Sequence, residues 1–394
     1  MNYIFSAIPS HENWTAFLAG KVCRGGYEVP LYTDSGIAGD VFKKLGPYQL
    51  FGSYAPGMTG FKAIITLRVD LHLEDDIYNF VSDRTVDDSA YHGGDLDDEI
   101  AALLSLCLGI RLKAGSITRR FSERFDPKGI PEYGMTKVMP TLGANTHYTR
   151  IPRLEERHSV RAAIPILESL PRFSPEDATA LIKVARQYQE ALWVADADPS
   201  LAWVMFVSAI ETAAKHRTSK QEDSPVDRLK AYDQDLYRIL MEGSGAELTE
   251  KVAERLVSRM GAVRKFVKFI TTFLPGPPAL RPCPEGMVSF EGPEFATTLR
   301  TIYNYRSKAL HAGKPFPHPM CTLPSRSGGD NVPAERPLGL ATTTQGGIWE
   351  HKDTPMHLHT FEYIVRSSLL AWWESMVTLH SDGESGRLVR SLER

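Results

Sequence analysis

The sequence predicts an α+β fold, in which a mixed β-rich domain is followed by an all-α helical domain. Residues 61–73 alternate apolar and polar side chains, a period of two that is typical of a half-buried strand. Glycine and tyrosine are frequent before this run, as expected of short strands joined by turns. Beyond residue 174, apolar side chains recur every three or four positions, which is the period of amphipathic helices.

The length of 394 residues predicts two domains. Residues 1–155 form the predicted β-rich domain, to which we assign a sensing or recruitment role. Residues 156–173, which contain two prolines, form the predicted linker. Residues 174–380 form the helical domain, and residues 381–394 a tail. Within the helical domain, residues 313–354 are rich in Pro, Gly, Ser and Thr, which predicts an insertion that is either mobile or functional.

Start signals and periodicity locate the helices. In the first domain, 97–108 predicts a helix because its first turn is acidic. Ser174, followed by a proline and two acids, has the pattern of an N-cap and begins a helix that runs to about residue 194. The next helix, 201–210, is apolar nearly all round, which places it at the centre of a bundle. Further helices are predicted at 226–240, at 246–274, from about 293 to about 312, and after Thr354.

The composition is typical of a cytoplasmic protein that does not enter a membrane. Hydrophobic content is 42% and charged content 24%. No apolar run approaches the roughly 20 residues of a membrane-spanning helix, and the first residues lack the pattern of a signal peptide. The four cysteines have no metal-ligand spacing, so we expect reduced thiols.

One stretch, YNYRSKALHAG at 303–313, contains the main functional pattern. A glycine and a nearby proline end the predicted helix just after His311, which therefore lies in the last turn. Ser307 and His311 share one face, whereas Arg306 lies about 140° around the helix from His311. A flexible guanidinium and an imidazole at this spacing can reach the same phosphate.

This pattern at the end of a bundle helix resembles the Arg-x4-His motif of the HEPN ribonucleases (higher eukaryotes and prokaryotes nucleotide-binding). The surrounding sequence looks most like the Apea-like HEPN branch, through three stretches in the order that this family uses. They are the helix 191–213 with its SAIETAA ending, RKFVKFITTFLP at 264–275 and YRSKALHAG at 305–313. The resemblance covers about residues 174–380 and implies a HEPN-like helical bundle.

The resemblance implies a metal-independent endoribonuclease without a cofactor. RNA supplies its own nucleophile, the 2′-hydroxyl, so the protein needs proton transfer from His311 and a phosphate-binding cation, Arg306. The products would end in 2′,3′-cyclic phosphate and 5′-hydroxyl. Family members often carry Asn, Asp or His after the arginine; Ser307 at this position can still hydrogen-bond to phosphate or to His311. A homodimer is implied too, because one protomer supplies only one such histidine.

Glu211 is a further candidate catalytic residue, because it directly follows the apolar helix 201–210. A buried carboxylate needs a cationic or hydrogen-bonding partner. Arg306 is the partner that we favour, and Arg300 and Lys215 are the alternatives. A partly exposed glutamate at a helix end is an equal explanation.

A short basic track could bind the RNA backbone; it comprises Lys308 together with Arg264, Lys265 and Lys268. Along the predicted helix 246–274, acids come early and bases late, so a solvated face that complements the helix dipole explains the same pattern. The net charge of −3 argues against a constitutive, tight nucleic-acid binder, and residues 174–312 contain 18 Lys plus Arg against 18 Asp plus Glu. An RNA substrate must therefore meet a local patch.

No metal site is predicted. The acidic pairs at 75–76, 87–88 and 97–98 are typical of solvated turns and a helix start. His357 and His359 would point about 200° apart in a first helical turn, and neither a cysteine nor a paired acid joins them or His351.

Two hypotheses therefore stand. One is a HEPN ribonuclease, for which the resemblance implies a toxin-like or anti-phage defence role and a trigger that acts through residues 1–155. The other is a non-catalytic HEPN-fold binding or scaffold protein.

Overall fold

The computed structural model describes residues 8–38, 42–54, 61–73, 88–122, 126–132, 134, 137–138, 140–141, 149–219, 224–232, 234–257, 261–326 and 332–392. Helices dominate the second half of the chain and strands the first. The predicted α+β fold is thereby confirmed.

The first half begins with a helix and is built around an antiparallel sheet. Its elements are α1 Pro9–Leu18, β1 Gly26–Thr33, β2 Gly36–Ile37, β3 Phe42–Leu45, β4 Tyr48–Tyr54, β5 Ala63–Asp70, α2 Leu96–Leu108, β6 Lys113–Ala114, β7 Arg119–Ser122 and β8 Asp126–Pro131. The sheet order is β3-β4-β5-β1-β7-β8, with β6 also paired to β1. Strand β5 lies inside the predicted strand 61–73, and α2 matches the predicted helix 97–108.

The inner side of this half is apolar because β5 contributes alternating buried side chains such as Leu67 and Val69, and β1 buries Leu31 beside them. Helix α2 is buried along nearly its whole length. Asp95 and Asp98 form a capping box at its start, and Gly109, in the left-handed region at φ 69°, ends it.

The second half is a set of packed helices. They are α3 Ile164–Leu167, α4 Pro175–Val194, α5 Pro199–Ser219, α6 Pro225–Tyr232, α7 Gln234–Val257, α8 Ala262–Thr272, α9 Gly292–Ala312 and α10 Leu358–Leu392, together with β9 Arg157–His158 and the hairpin β10 Ala341–Thr344 and β11 Gly347–Glu350. Helix α5 packs against α4, α8, α9 and α10, which confirms its predicted central place. No helix among the described residues is both long and apolar enough to span a lipid bilayer.

The predicted helix 246–274 is wrong as a single element. Helix α7 ends at Val257, and Gly261, at φ 74°, separates it from α8. A residue in the left-handed region cannot continue a right-handed helix. Helix α7 also starts earlier than predicted and breaks at Gly245, which has φ 74°. The two predicted helices 226–240 and 246–274 are therefore replaced by α6, a broken α7 and α8.

The predicted insertion 313–354 contacts the helices near both of its ends. The ring of Phe316 stacks on Trp203 of α5 at a centroid distance of 5.1 Å, and Trp203 stacks in turn on Phe361 of α10 at 4.7 Å. The Tyr305 hydroxyl donates a hydrogen bond of 2.8 Å to the Asp353 carbonyl oxygen. Both ends of the segment are thus fixed to the helices.

The two halves share one continuous hydrophobic core. The predicted linker 156–173 forms short helical turns and buries Ile164, Leu167 and Leu170 in that core. At the end of α2, the guanidinium of Arg366 donates to two backbone carbonyls and that of Arg153 to a third. The predicted domain boundaries stay a prediction, but the halves are packed together along α2, α4 and α10.

Candidate functional site

Helix α9 positions the predicted motif. A proline lies in its first turn, where a backbone N–H would have no partner within the helix, so the N–H that proline lacks is not missed. Gly313 ends the helix in the left-handed region at φ 60°. Phe295, Leu299 and Ile302 seat one face in the core. His311 lies in the last turn, as predicted, and its side chain is exposed.

Arg306 lies five residues before His311 on α9, and most of its side chain is buried. Its Nη2 donates a hydrogen bond of 2.5 Å to Oε2 of Glu211 on α5, so the predicted ion pair between these residues is confirmed. The side chains of Arg306 and Glu211 are 19% and 21% exposed. The guanidinium is thus reachable from solvent, but it is already partnered by a carboxylate.

Tyr303 completes this cluster, and sequence reasoning missed it. Its hydroxyl donates a hydrogen bond of 2.5 Å to Oε1 of Glu211, so each carboxylate oxygen has one donor from α9. Burial raises the pKa of the Tyr303 phenol well above its usual range, and the hydrogen bond to Glu211 adds to the increase. Tyr303 and Arg306 are three residues apart and share a helix face, a spacing that could have indicated the contact.

The other residues near the motif differ in exposure. Ser307 is half-buried, and Lys308 is exposed with its Nζ 5.6 Å from the centre of the Tyr305 ring. Tyr305 is hydrogen-bonded to the segment 313–354. Because Arg306, Ser307 and Lys308 come next along α9, the exposed end of the helix lies beside that segment.

The basic residues of α8 lie on a helix next to α9. Phe266 packs against the Tyr303 ring at a centroid distance of 5.4 Å, which brings the two helices together. Arg264 and Lys268 are exposed, and Lys265 is half-buried. With Phe266 turned to the core, the helical period places Arg264 and Lys268 on the opposite, outer side of α8. Because Phe266 faces Tyr303 of α9, Arg264 and Lys268 point away from that contact, and a basic track shared with Lys308 stays a prediction.

His357 and His359, for which we predicted no metal site, are arranged differently from the expectation. His357 precedes α10 instead of lying in its first turn, so its ring stacks with that of His359 at 6.0 Å instead of pointing away. Burial lowers the pKa of His357 to about 4 and that of His359 to about 3. His351 instead accepts a hydrogen bond from Arg336. Within the described ranges, no three His, Cys, Asp or Glu side chains are grouped to hold a metal ion.

Of the three acidic pairs, the structure describes both residues of 97–98. Asp97 and Asp98 both accept from the Lys137 ammonium group, at 2.5 and 2.7 Å, so a lysine already compensates their charge. The pair 75–76 and Asp87 lie outside the described residues.

Comparison of the chain with family models, with curated proteins and with solved structures returned no match in any of the three cases.

Proposed function

We propose that the chain is a metal-independent endoribonuclease of HEPN type. The observation that supports this proposal is that an exposed imidazole, His311, and a partly exposed guanidinium, Arg306, occupy the last two turns of one helix. Five residues of helix correspond to about 7.5 Å along the axis, a gap that both side chains can bridge. Although the two residues also lie about 140° apart around the helix, we propose that one phosphodiester contacts both groups.

In the proposed reaction, the 2′-hydroxyl of RNA attacks the adjacent phosphorus and the bond from phosphorus to the 5′-oxygen breaks. The products are a 2′,3′-cyclic phosphate and a 5′-hydroxyl. His311 transfers a proton, and the guanidinium of Arg306 stabilises the charge on the phosphorane oxygens. Two proton transfers are needed, one from the nucleophile and one to the leaving group. A homodimer that brings two copies of His311 to one phosphate would supply both.

The charge distribution supports a regulated enzyme. Arg306 is bound to Glu211, so part of its charge is compensated before any phosphate arrives. We propose that a trigger acting through residues 1–155 releases it, as in a toxin or an anti-phage defence effector. Because both halves share a core, this idea is better tested in the full chain than by deletion. Arg111 donates hydrogen bonds of 2.7 Å from the first half to Leu192 and Asp196 in the second. Arg111→Met removes these bonds and should change the basal cleavage rate, and an unchanged rate would contradict regulation by this route.

The partial burial of Arg306 in its ion pair with Glu211 favours one alternative function. In that alternative the chain is a non-catalytic scaffold, and the ion pair joins two helices of the bundle. The deciding experiment incubates the purified chain with total RNA in EDTA. Wild type is compared with Arg306→Ala, His311→Ala and the control Arg300→Ala, which removes an exposed arginine from the same helix.

Cleavage that persists in EDTA and in the control, but is lost in both motif variants, supports the enzyme. Loss of general acid–base catalysis alone should lower the rate by about 10²- to 10⁴-fold. If wild type cleaves no RNA, or if both motif variants cleave like wild type, the scaffold remains.

A further inference from the structure

Glu211 is held by two donors on one face of α9. The hydroxyl of Tyr303 occupies its Oε1 and Nη2 of Arg306 occupies its Oε2, both at 2.5 Å. The two donors lie in adjacent turns, so they contact the carboxylate from neighbouring positions on the helix. The carboxylate orientation therefore depends on both contacts together.

Tyr303 is the rigid member of this trio. Its side chain is buried, with 7% of the residue exposed, and its ring packs against Phe266. Such packing fixes the position of the hydroxyl. Glu211, in contrast, has several rotatable bonds and a carboxylate that still reaches solvent. A fixed donor on Oε1 thus selects the rotamer that turns Oε2 toward Arg306.

Arg306 depends on Glu211 for its own orientation. Its Nε is buried without a hydrogen-bond partner, and among the described residues only Glu211 accepts a hydrogen bond from the guanidinium. The guanidinium carbon lies 5.7 Å from the centre of the Tyr303 ring, which limits the direction on that side. Among the described residues, Nη2 is thus the one guanidinium nitrogen of Arg306 with a hydrogen bond, and Nε and Nη1 have none.

We propose that Tyr303 is a positioning residue that, through Glu211, fixes the direction in which Arg306 presents its guanidinium. Tyr303 itself does not touch the phosphate. The catalytic consequence of this arrangement rests on the proposed ribonuclease function, whereas the arrangement itself can be measured without RNA.

The test uses Tyr303→Phe, which removes the hydroxyl and keeps the ring. Tyr305→Phe is the matched control, because its hydroxyl is also lost from α9 but binds the Asp353 carbonyl oxygen instead of Glu211. Phenylglyoxal modification of Arg306 is followed by peptide mapping, with the exposed Arg300 on the same helix as internal reference. Because the bond that orients Glu211 is lost, and an ordinary hydrogen bond changes an equilibrium by about twofold to tenfold, we expect Arg306 to react about threefold to tenfold faster in Tyr303→Phe.

Cleavage of RNA gives the second measurement. In Tyr303→Phe we expect kcat to fall by about tenfold or more with little change in KM, since a misdirected guanidinium mainly affects the transition state. Glu211→Gln removes the charged acceptor directly and should also increase the modification of Arg306. If Tyr303→Phe folds poorly, this second variant still tests whether Glu211 restrains Arg306.

The outcomes separate the two ideas. Wild type that cleaves no RNA, together with faster Arg306 modification in Tyr303→Phe, refutes the ribonuclease and supports the positioning contact. If Arg306 reacts at the same rate in Tyr303→Phe and Tyr305→Phe, the positioning role is overturned whatever the RNA assay shows. A rise at Arg300 equal to that at Arg306 indicates general loosening and also overturns it.

Discussion

Arg111 offers a direct test of how the two halves of the chain are joined. Its guanidinium donates hydrogen bonds of 2.7 Å to Asp34, to Asp196 and to the carbonyl oxygen of Leu192. Asp34 follows β1, whereas Leu192 and Asp196 lie at the end of α4 and just beyond it, so one side chain spans both halves. Only 5% of the Arg111 side chain is exposed.

Arg111→Met keeps most of the side-chain volume but leaves Asp34 without this cation, while Asp196 keeps its longer salt bridge of 3.8 Å to Arg150. Removing one partner of a buried ion pair lowers the free energy of unfolding by about 3–5 kcal/mol. Typical unfolding entropies per residue predict roughly 0.8 kcal/mol per degree for a chain of this length. The Tm should therefore fall by about 4–6 °C, measured by differential scanning calorimetry at neutral pH.

The control is Arg238→Met, the same chemical change in a surface pair. Arg238 and its partner Asp235 are 65% and 85% exposed, so the control should change stability by at most about 1 kcal/mol. Adding Asp34→Asn and Asp196→Asn to Arg111→Met should recover part of the loss. A Tm of Arg111→Met within about 1 °C of wild type would show that the buried network does not stabilise the contact between the halves.

Three further predictions concern stability. Because burial lowers the folded-state pKa of His357 from 6.5 to about 4, stability should be fully present above pH 6.5 and should fall by up to about 3 kcal/mol as the pH drops to 4; thermal unfolding of His357→Gln should show a smaller loss, and parallel pH profiles would contradict this. Gly109→Ala should destabilise by about 1 kcal/mol or more, since φ is 69° and a Cβ would lie 2.7 and 2.9 Å from two guanidinium nitrogens; Gly243→Ala, where a Cβ meets open space, should be neutral or stabilising in the same melts. Trp203→Ala should cost about 3–5 kcal/mol and expose 313–354 to faster tryptic cleavage, because this buried ring stacks under that segment; cleavage at the wild-type rate would refute the anchoring.

Local patterns correctly predicted much of the secondary structure. The alternation in 61–73, the N-cap at Ser174 and the stop after His311 are properties of neighbouring residues, and each indicated an element that the structure contains. The predicted helix 246–274 failed because periodicity continues across Gly261, whereas the backbone there turns into the left-handed region.

The sequence by itself determined the α+β class, the central place of α5 and the position of His311 in a final helical turn. It also indicated that Glu211, if buried, needs a cationic or hydrogen-bonding partner, because an unpaired carboxylate in a core is costly. Only the tertiary structure decided which groups meet across helices. Tyr303 joins Glu211, and residues 156–173 belong to a core shared by both halves, because such contacts depend on the packing of segments that are far apart in the chain.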